Sequence, residues 1–186
     1  MRLGSDKALL DPYGDGPLLA IGVEALRDGG CEEIVSVGGP ARTGLADDVL
    51  HVPDLHPGEG PLGGIFTALR HTAHDMTVVF ACDMPFIDGE VVSALVARAV
   101  DEPRAAVVVA RVWDRAQPLT AVWRRSLALE ALERGFAAGM RAPRLILPVI
   151  DCRYLDRLDP DRLVDIDSTE DVERYAPAAQ RRRAGE

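Results

Sequence analysis

The sequence predicts an α/β fold on a largely parallel sheet, and three observations carry that reading. Short β-branched runs alternate with helical stretches along the chain, the pattern of a sheet covered by helices. The strongest run, Thr77 to Cys82, is apolar without alternation, as in a strand buried on both faces. That run stops abruptly at Asp83-Met84-Pro85, because Pro85 has no N–H with which to extend a central ladder. Asp88 then reads as an N-cap, with Glu90 in the first turn and Val91, Val92, Leu95 and Val96 at helical spacing. The order is strand, acidic tip, helix. Ligands of open α/β sheets bind outside the carboxyl ends of the strands. Asp83 therefore faces the expected crevice, where a hard divalent cation prefers oxygen ligands. A plain turn-forming or capping role for Asp83 is the other reading of this stretch taken alone.

The remaining elements follow from local signals. Asp11-Pro-Tyr-Gly-Asp-Gly16 is a dense turn signal. Pro17 suits the start of a helix to about Arg27, with Leu18, Leu19, Val23 and Leu26 on its apolar face and Gly29-Gly30 ending it. Glu33 to Val37 is a short strand, and Val49 to Val52 another. Pro53 to Gly64 is loop by composition and leads into an apolar helix from Ile65 to about Thr72. Glycines before a helix N-terminus can bring backbone N–H groups against an anion or nucleotide; a simple connection is the alternative. Ala105 to Val112 and Leu119 to Trp123 read as paired strands joined by a long turn. Ser126 caps a helix to about Ala138. Arg141 to Leu147 reads as a short basic helix, Val149 to Leu155 as a strand, and Leu163 to Asp167 as a brief alternating one. Ser168 with Asp171 three residues later is a near capping box for a last helix. One domain over residues 1–176 is expected, followed by a basic, disordered tail over residues 177–186 that carries Arg181-Arg-Arg183.

Composition narrows the class. At 186 residues the chain suffices for one domain with a proper core. A net charge of −9 argues against a nucleic-acid partner, though local arginines and lysines can still hold a small phosphate ligand. Three widely spaced cysteines without a Cys-x-x-Cys motif suggest neither a zinc site nor a disulfide frame, and fit a reducing cytoplasm. Cys82 reads as a small core hydrophobe. No apolar run is long enough for a membrane span.

Four separated pieces together resemble one family. They are Arg2-Leu-Gly-Ser-Asp-Lys-Ala-Leu-Leu10, Gly60-Pro-Leu-Gly-Gly-Ile65, Cys82-Asp-Met-Pro-Phe86 and Asp165-Ile-Asp-Ser-Thr-Glu-Asp171, with Gln117-Pro-Leu119 as a weaker fifth. In order and spacing they are similar to the molybdenum cofactor guanylyltransferases, within the nucleotidyltransferases of sugar-nucleotide type. The resemblance implies a Rossmann-like, mostly parallel sheet flanked by helices, of nucleotide-diphospho-sugar transferase type. It implies transfer of GMP from Mg2+-bound GTP to molybdopterin cofactor, with loss of pyrophosphate. Both partners are anionic, so such chemistry is mainly charge neutralisation and in-line positioning. By the resemblance, Asp83 would hold the metal, with Asp165 or Asp167 close to it. The family usually has Asn at these last two positions. Lys7 and Arg2 would hold the phosphate chain. Asp54 and the Gly60, Pro61, Leu62, Gly63 and Gly64 loop would contact guanosine, and cofactor-delivering proteins are conceivable partners. Gln117 and the Arg141 to Arg144 segment would face the acceptor.

The family carries an apolar strand and a glycine-rich turn before the Arg-x-Gly motif, and here the sequence starts inside that loop. The first central strand is therefore expected to be missing. Burying four or five apolar side chains in such a strand contributes about 1.5–3 kcal/mol each, comparable with a whole domain's net stability. An intact sheet is not expected without it, and two internal strand edges would be left unpaired. Three explanations stand: a start upstream of Met1, a degenerate relative without turnover, or another strand or chain in the gap. The 186-residue chain by itself is expected to bind nucleotide poorly and fold poorly. A related transferase using CTP or another phosphorylated acceptor, and a non-catalytic truncated relative, are the alternative functions.

Overall fold

The computed structural model describes residues 6–40 and 48–184; Arg2 lies outside them. Six strands and five α-helices follow in order. They are α1 (Leu18–Asp28), β1 (Ile34–Val37), β2 (Val49–Val52), α2 (Pro61–His71), β3 (Met76–Phe80) and α3 (Gly89–Asp101). Then come β4 (Val107–Val112), β5 (Arg115–Arg124), α4 (Arg125–Ala137), β6 (Cys152–Leu155) and α5 (Thr169–Ala184). Short 3-10 turns at Lys7–Leu9, Pro143–Leu145, Leu147–Val149 and Pro160–Leu163 fill the connections.

The fold is α/β, with parallel pairing and helices on both faces, but the strands form two sheets. β1 pairs with β2 in parallel. The second sheet has the order β3-β5-β4-β6. β5 is antiparallel to β3 and to β4, while β4 and β6 are parallel, so β5 alone is reversed in that sheet. Between β1 and β3 lies a cleft of about 760 Å³. Among the described residues β1 pairs only with β2 and β3 only with β5, and both strands line this cleft.

That cleft explains one correction. β3 was expected to be buried on both faces; all five of its residues are only half-buried, because one side borders the cleft. The strand also stops at Phe80, so Cys82 is exposed and is not a core hydrophobe. The core is divided by the larger sheet. One cluster gathers Leu62, Ile65, Leu69, Val107, Trp123, Leu132 and Phe136 beneath α2 and α4. The other gathers Val91, Val92, Leu95, Val108 and Val122 beneath α3.

Local chemistry sets several boundaries. Asp88 caps α3, its side chain accepting from the Val91 N–H at 3.2 Å. Ser168 and Asp171 exchange reciprocal bonds of 3.2 and 2.9 Å at the start of α5, a complete capping box. The turn after β4 is only Trp113-Asp114, both at positive φ of 47° and 59°, as a two-residue hairpin demands. β5 therefore starts at Arg115, well before the expected Leu119. It tolerates Pro118 because the β4–β5 register shifts there: Ala110 faces Gln117, while its neighbour Val109 faces Ala121. Ser126 is not a cap; its N–H donates to Asp75 at 2.7 Å while α4 has already begun at Arg125. Residues 164–167 form no strand.

The last helix corrects the expected tail. α5 continues through Pro177 to Ala184. It is held there because Ala179 is buried, and because Arg182 donates to the Phe86 carbonyl at 2.6 Å and to Asp88 at 2.8 Å. These contacts offset the hydrogen bond that an interior proline removes.

Candidate functional site

Three chain segments meet at the acidic tip beyond β3. β3 ends at Phe80, and three residues later Asp83 sits in a turn, its main-chain carbonyl accepting the Ile166 N–H at 2.9 Å. That single backbone bond ties the segment before α5 to the tip. Ile166 is fully buried, so its neighbours Asp165 and Asp167 are carried to the surface on either side of it. The third segment is the 3-10 turn Lys7–Leu9, capped by Asp6 and anchored by buried Ala8. It delivers Lys7, whose Nζ lies 3.3 Å from Asp83 Oδ2 and bonds Asp167 Oδ1. Residues far apart in the chain thus converge on one ammonium group.

The electrostatics follow from this crowding. Partial burial disfavours the Lys7 charge, but the hydrogen bond that Lys7 donates to Asp167 and the charges of Asp83 and Asp167 outweigh it and hold the ammonium above its ordinary pKa. Desolvation, then the charges of Asp167 and Asp83, push the Asp165 carboxyl above its ordinary value, with Lys7 opposing. The sign for stability is fixed by linkage. The folded chain holds the Asp165 proton more tightly than the unfolded chain, so stability falls as pH rises from the ordinary carboxylate range through the folded pKa. Asp165→Asn is therefore expected to raise the melting temperature at pH 7, by about 1–3 °C given the solvent exposure of the group. The gain should vanish below about pH 3.8. Melting curves of both proteins across this range check it; equal melting temperatures at pH 7 would refute the linkage.

Asp83 Oδ1 is buried without a hydrogen-bond partner among the described residues. An orphaned buried carboxylate oxygen is costly and invites a cation or a donor. Among the described residues no group of three or more His, Cys, Asp or Glu is arranged to hold a metal ion. Mg2+, however, is commonly held by one or two carboxylates plus substrate phosphates. Asp83 with Asp167 satisfies that smaller requirement.

The other predicted positions lie on the rims of β2 and α2. Asp54 follows β2, and its Oδ1 accepts the His56 N–H and the Thr67 hydroxyl, each at 2.9 Å. Thr67 is fully buried and also accepts the Leu55 N–H at 3.1 Å. Thr67 was missed in the sequence; its signal was a lone hydroxyl within the apolar face of α2. The glycine-rich stretch is not a loop up to Ile65. Gly60, at φ 92°, is the N-cap, and Pro61, Leu62, Gly63 and Gly64 form the first turn of α2, with Pro61 where a missing N–H costs nothing. The glycines differ in purpose. A Cβ on Gly63 would lie 3.0 Å from His56, so this glycine lets the helix pack against the loop. Gly64 has open space before it and lines the same cleft as Asp83. The Leu62 N–H is already taken by the Arg141 carbonyl at 3.1 Å.

Arg141 itself braces this corner. It pairs with Glu59 at 2.7 Å, donates to the Phe136 carbonyl at 2.8 Å and lies 3.9 Å above the Phe136 ring. Gln117 is half-buried opposite Ala110 in the sheet. The structure therefore joins Lys7, Asp83, Asp165 and Asp167 in one cluster. It sets Pro61 and Gly64 with Asp83 on one cleft, and places Asp54 beside α2 through Thr67.

Residues 1–147 match the family model for the MobA-like NTP transferase domain. The chain belongs to the MobA-like NTP transferase family. The fold agrees with that membership. This MobA-like chain is 32% identical over 166 residues to a probable molybdenum cofactor guanylyltransferase of Pelotomaculum thermopropionicum, covering 89% of this chain and 78% of that protein. It is 31% identical over 170 residues to the molybdenum cofactor guanylyltransferase of Pseudomonas entomophila, covering 90% and 87%. Against two Clostridium perfringens relatives the match spans only 35% and 50% of their length. Among solved structures it is similar to molybdopterin-guanine dinucleotide biosynthesis protein A from Archaeoglobus fulgidus. The TM-score there is 0.76 at 24% identity, over 97% of this chain and 93% of that one, a likeness of fold. The family match ends before Asp165 and Asp167, so their place beside Lys7 rests on the geometry of this MobA-like chain.

Proposed function

We propose that this MobA-like chain transfers GMP from GTP to molybdopterin cofactor and releases pyrophosphate. The observation that supports it is the convergence of Lys7, Asp83 and Asp167 at the carboxyl end of β3. A fixed cation beside paired carboxylates is the equipment for two polyanionic reactants, where positioning and charge neutralisation dominate. Asp83, with Asp167, would hold Mg2+. That ion supplies charge neutralisation on phosphate oxygens when bound. Lys7 carries a permanent positive charge at the same spot and orients the phosphate chain. Asp54, fixed by Thr67 and the His56 N–H, presents a carboxylate at the rim of β2 for the N–H groups of a guanine edge. A cytoplasmic setting is part of this proposal; no helix among the described residues is long and apolar enough to cross a membrane.

The test is pyrophosphate release and dinucleotide formation with molybdopterin, Mg2+ and either GTP or CTP. Turnover with GTP is expected, and Lys7→Ala is expected to weaken GTP binding by about 10-fold or more, in line with loss of a charge-assisted contact. Preferential turnover of CTP would overturn the assignment of the base. Unchanged GTP affinity in Lys7→Ala would remove the lysine from the phosphate site.

A further inference from the structure

We propose that Arg141 is a positioning residue for base selection: through Glu59 and His56 it holds Asp54 where the carboxylate meets a guanine edge, without touching substrate itself. The inference rests on the guanine reading of Asp54 given above and adds what keeps that carboxylate in place.

The loop 53–60 that carries Asp54 has little of its own to hold it. Leu55, Pro57, Gly58 and Glu59 are exposed, and Gly58 and Gly60 take positive φ of 76° and 92°. Such a stretch fixes a side chain only where other elements fasten it. One fastening is local: α2 supplies the Thr67 hydroxyl, which donates to Asp54 Oδ1. The second comes from beyond α4. Arg141 pairs with Glu59 at 2.7 Å. The Glu59 N–H donates to the His56 carbonyl at 3.1 Å, and the His56 N–H donates to Asp54 Oδ1 at 2.9 Å. A continuous path of bonds thus runs from the guanidinium to the carboxylate.

Stacking stiffens the same path. The His56 ring lies 4.1 Å from the Phe136 ring, and the Arg141 guanidinium 3.9 Å from it. Phe136 is buried near the end of α4, so loop and arginine register against one fixed surface. The packing leaves no slack. A Cβ on Gly63 would lie 3.0 Å from His56, and one on Gly60 would lie 3.0 Å from the Arg141 carbonyl. Arg141 Nη1 is spent as well, donating to the Phe136 and Met140 carbonyls at 2.8 and 3.0 Å. Both terminal nitrogens are therefore engaged within the protein, which suits support rather than the acceptor contact that the resemblance implies. Among the described residues Asp54 takes both of its side-chain bonds on Oδ1, so Oδ2 is left for a ligand.

Guanine offers N–H donors to such a carboxylate, whereas adenine presents a ring-nitrogen acceptor at that edge. GTP and ATP share their triphosphate, so the ratio of their affinities separates Asp54 from Lys7 and the metal. Affinities of the whole chain for each nucleotide with Mg2+ are measured by calorimetry. The parent is expected to prefer GTP by about 10- to 100-fold, the worth of hydrogen bonds to a charged acceptor. Arg141→Ala is expected to cut that preference to about threefold or less while ATP affinity stays within about twofold, because a loosened loop must be ordered again to meet the base. Glu59→Ala is expected to give the same loss, and the double variant no more than either alone, as for members of one linked path. Without nucleotide, amide exchange over residues 55–60 is expected to quicken about tenfold or more in Arg141→Ala, with α3 unchanged.

Equal losses for GTP and ATP would put Arg141 on the phosphates and overturn the proposal. So would a retained preference, unchanged exchange, or a double variant whose losses add. A raised KM for molybdopterin with the preference intact would return Arg141 to the acceptor. A parent without preference for GTP would overturn the base reading as well, which separates that failure from failure of the brace alone.

Discussion

Replacing Asp83 with asparagine is expected to lower the rate of nucleotidyl transfer by about 100- to 1,000-fold, the loss typical of removing one preorganised charge-stabilising group. The carboxylate stands where β3 releases the chain, with one oxygen on Lys7 and the other buried and unpaired. The amide keeps the volume but surrenders the charge, so neither a divalent ion nor the Lys7 ammonium is held as firmly. The fold should survive. The Ile166 bond that closes the tip goes to the Asp83 main-chain carbonyl, which the substitution leaves in place. Steady-state rates at saturating and limiting Mg2+, with circular dichroism as the control, check this. A variant within a few-fold of the parent rate would remove Asp83 from the chemistry. The expected partner result is a steeper Mg2+ requirement in whatever activity remains.

Trp123→Ala carries the largest expected stability effect, about 3–5 kcal/mol. Trp123 is fully buried in β5, opposite Thr77 of β3 on one side and Val107 of β4 on the other. It is the largest of the fully buried side chains and fills the cluster beneath α2 and α4. Deleting the indole leaves a cavity that two clamped helices cannot collapse into. Urea unfolding followed by circular dichroism measures the loss. The parent's second indole, Trp113, is exposed at the hairpin tip, so the buried component of fluorescence reports on Trp123 alone. A loss below 1 kcal/mol would mean that the core relaxes around the vacancy.

Much of the architecture was legible because the relevant forces are local. Asp88 before an amphipathic run fixes the start of α3, and Ser168 with Asp171 fixes that of α5. The abrupt end of an apolar run at Asp83-Met84-Pro85 marked the acidic tip that Lys7 approaches. What escaped was decided at a distance. The half-burial of β3 depends on what flanks it, not on its own residues. The order of the last turns comes from Arg182 reaching Phe86 and Asp88, which no local composition signals. The two-residue turn at Trp113-Asp114 uses residues without the usual glycine or asparagine, so the pairing of β4 with β5 imposes it. The start of α2 at Pro61 was readable in principle from proline's fitness for the first helical position, but the flanking glycines hid it. For the site, the acidic and basic positions were visible as isolated pieces, whereas the Thr67 support of Asp54 needs the turn from β2 to α2 to be seen in space.

The bond between Lys7 and Asp167 spans 160 residues of chain. Contacts of such sequence separation carry a large loop-closure cost and reward folding only after the intervening segments are in place. During synthesis Lys7 therefore waits, with no Asp167 carboxylate to meet it, until the segment before α5 has left the ribosome. A shortened product released before that point would keep most of its helices and strands, yet the ion pair at its acidic tip would be half built.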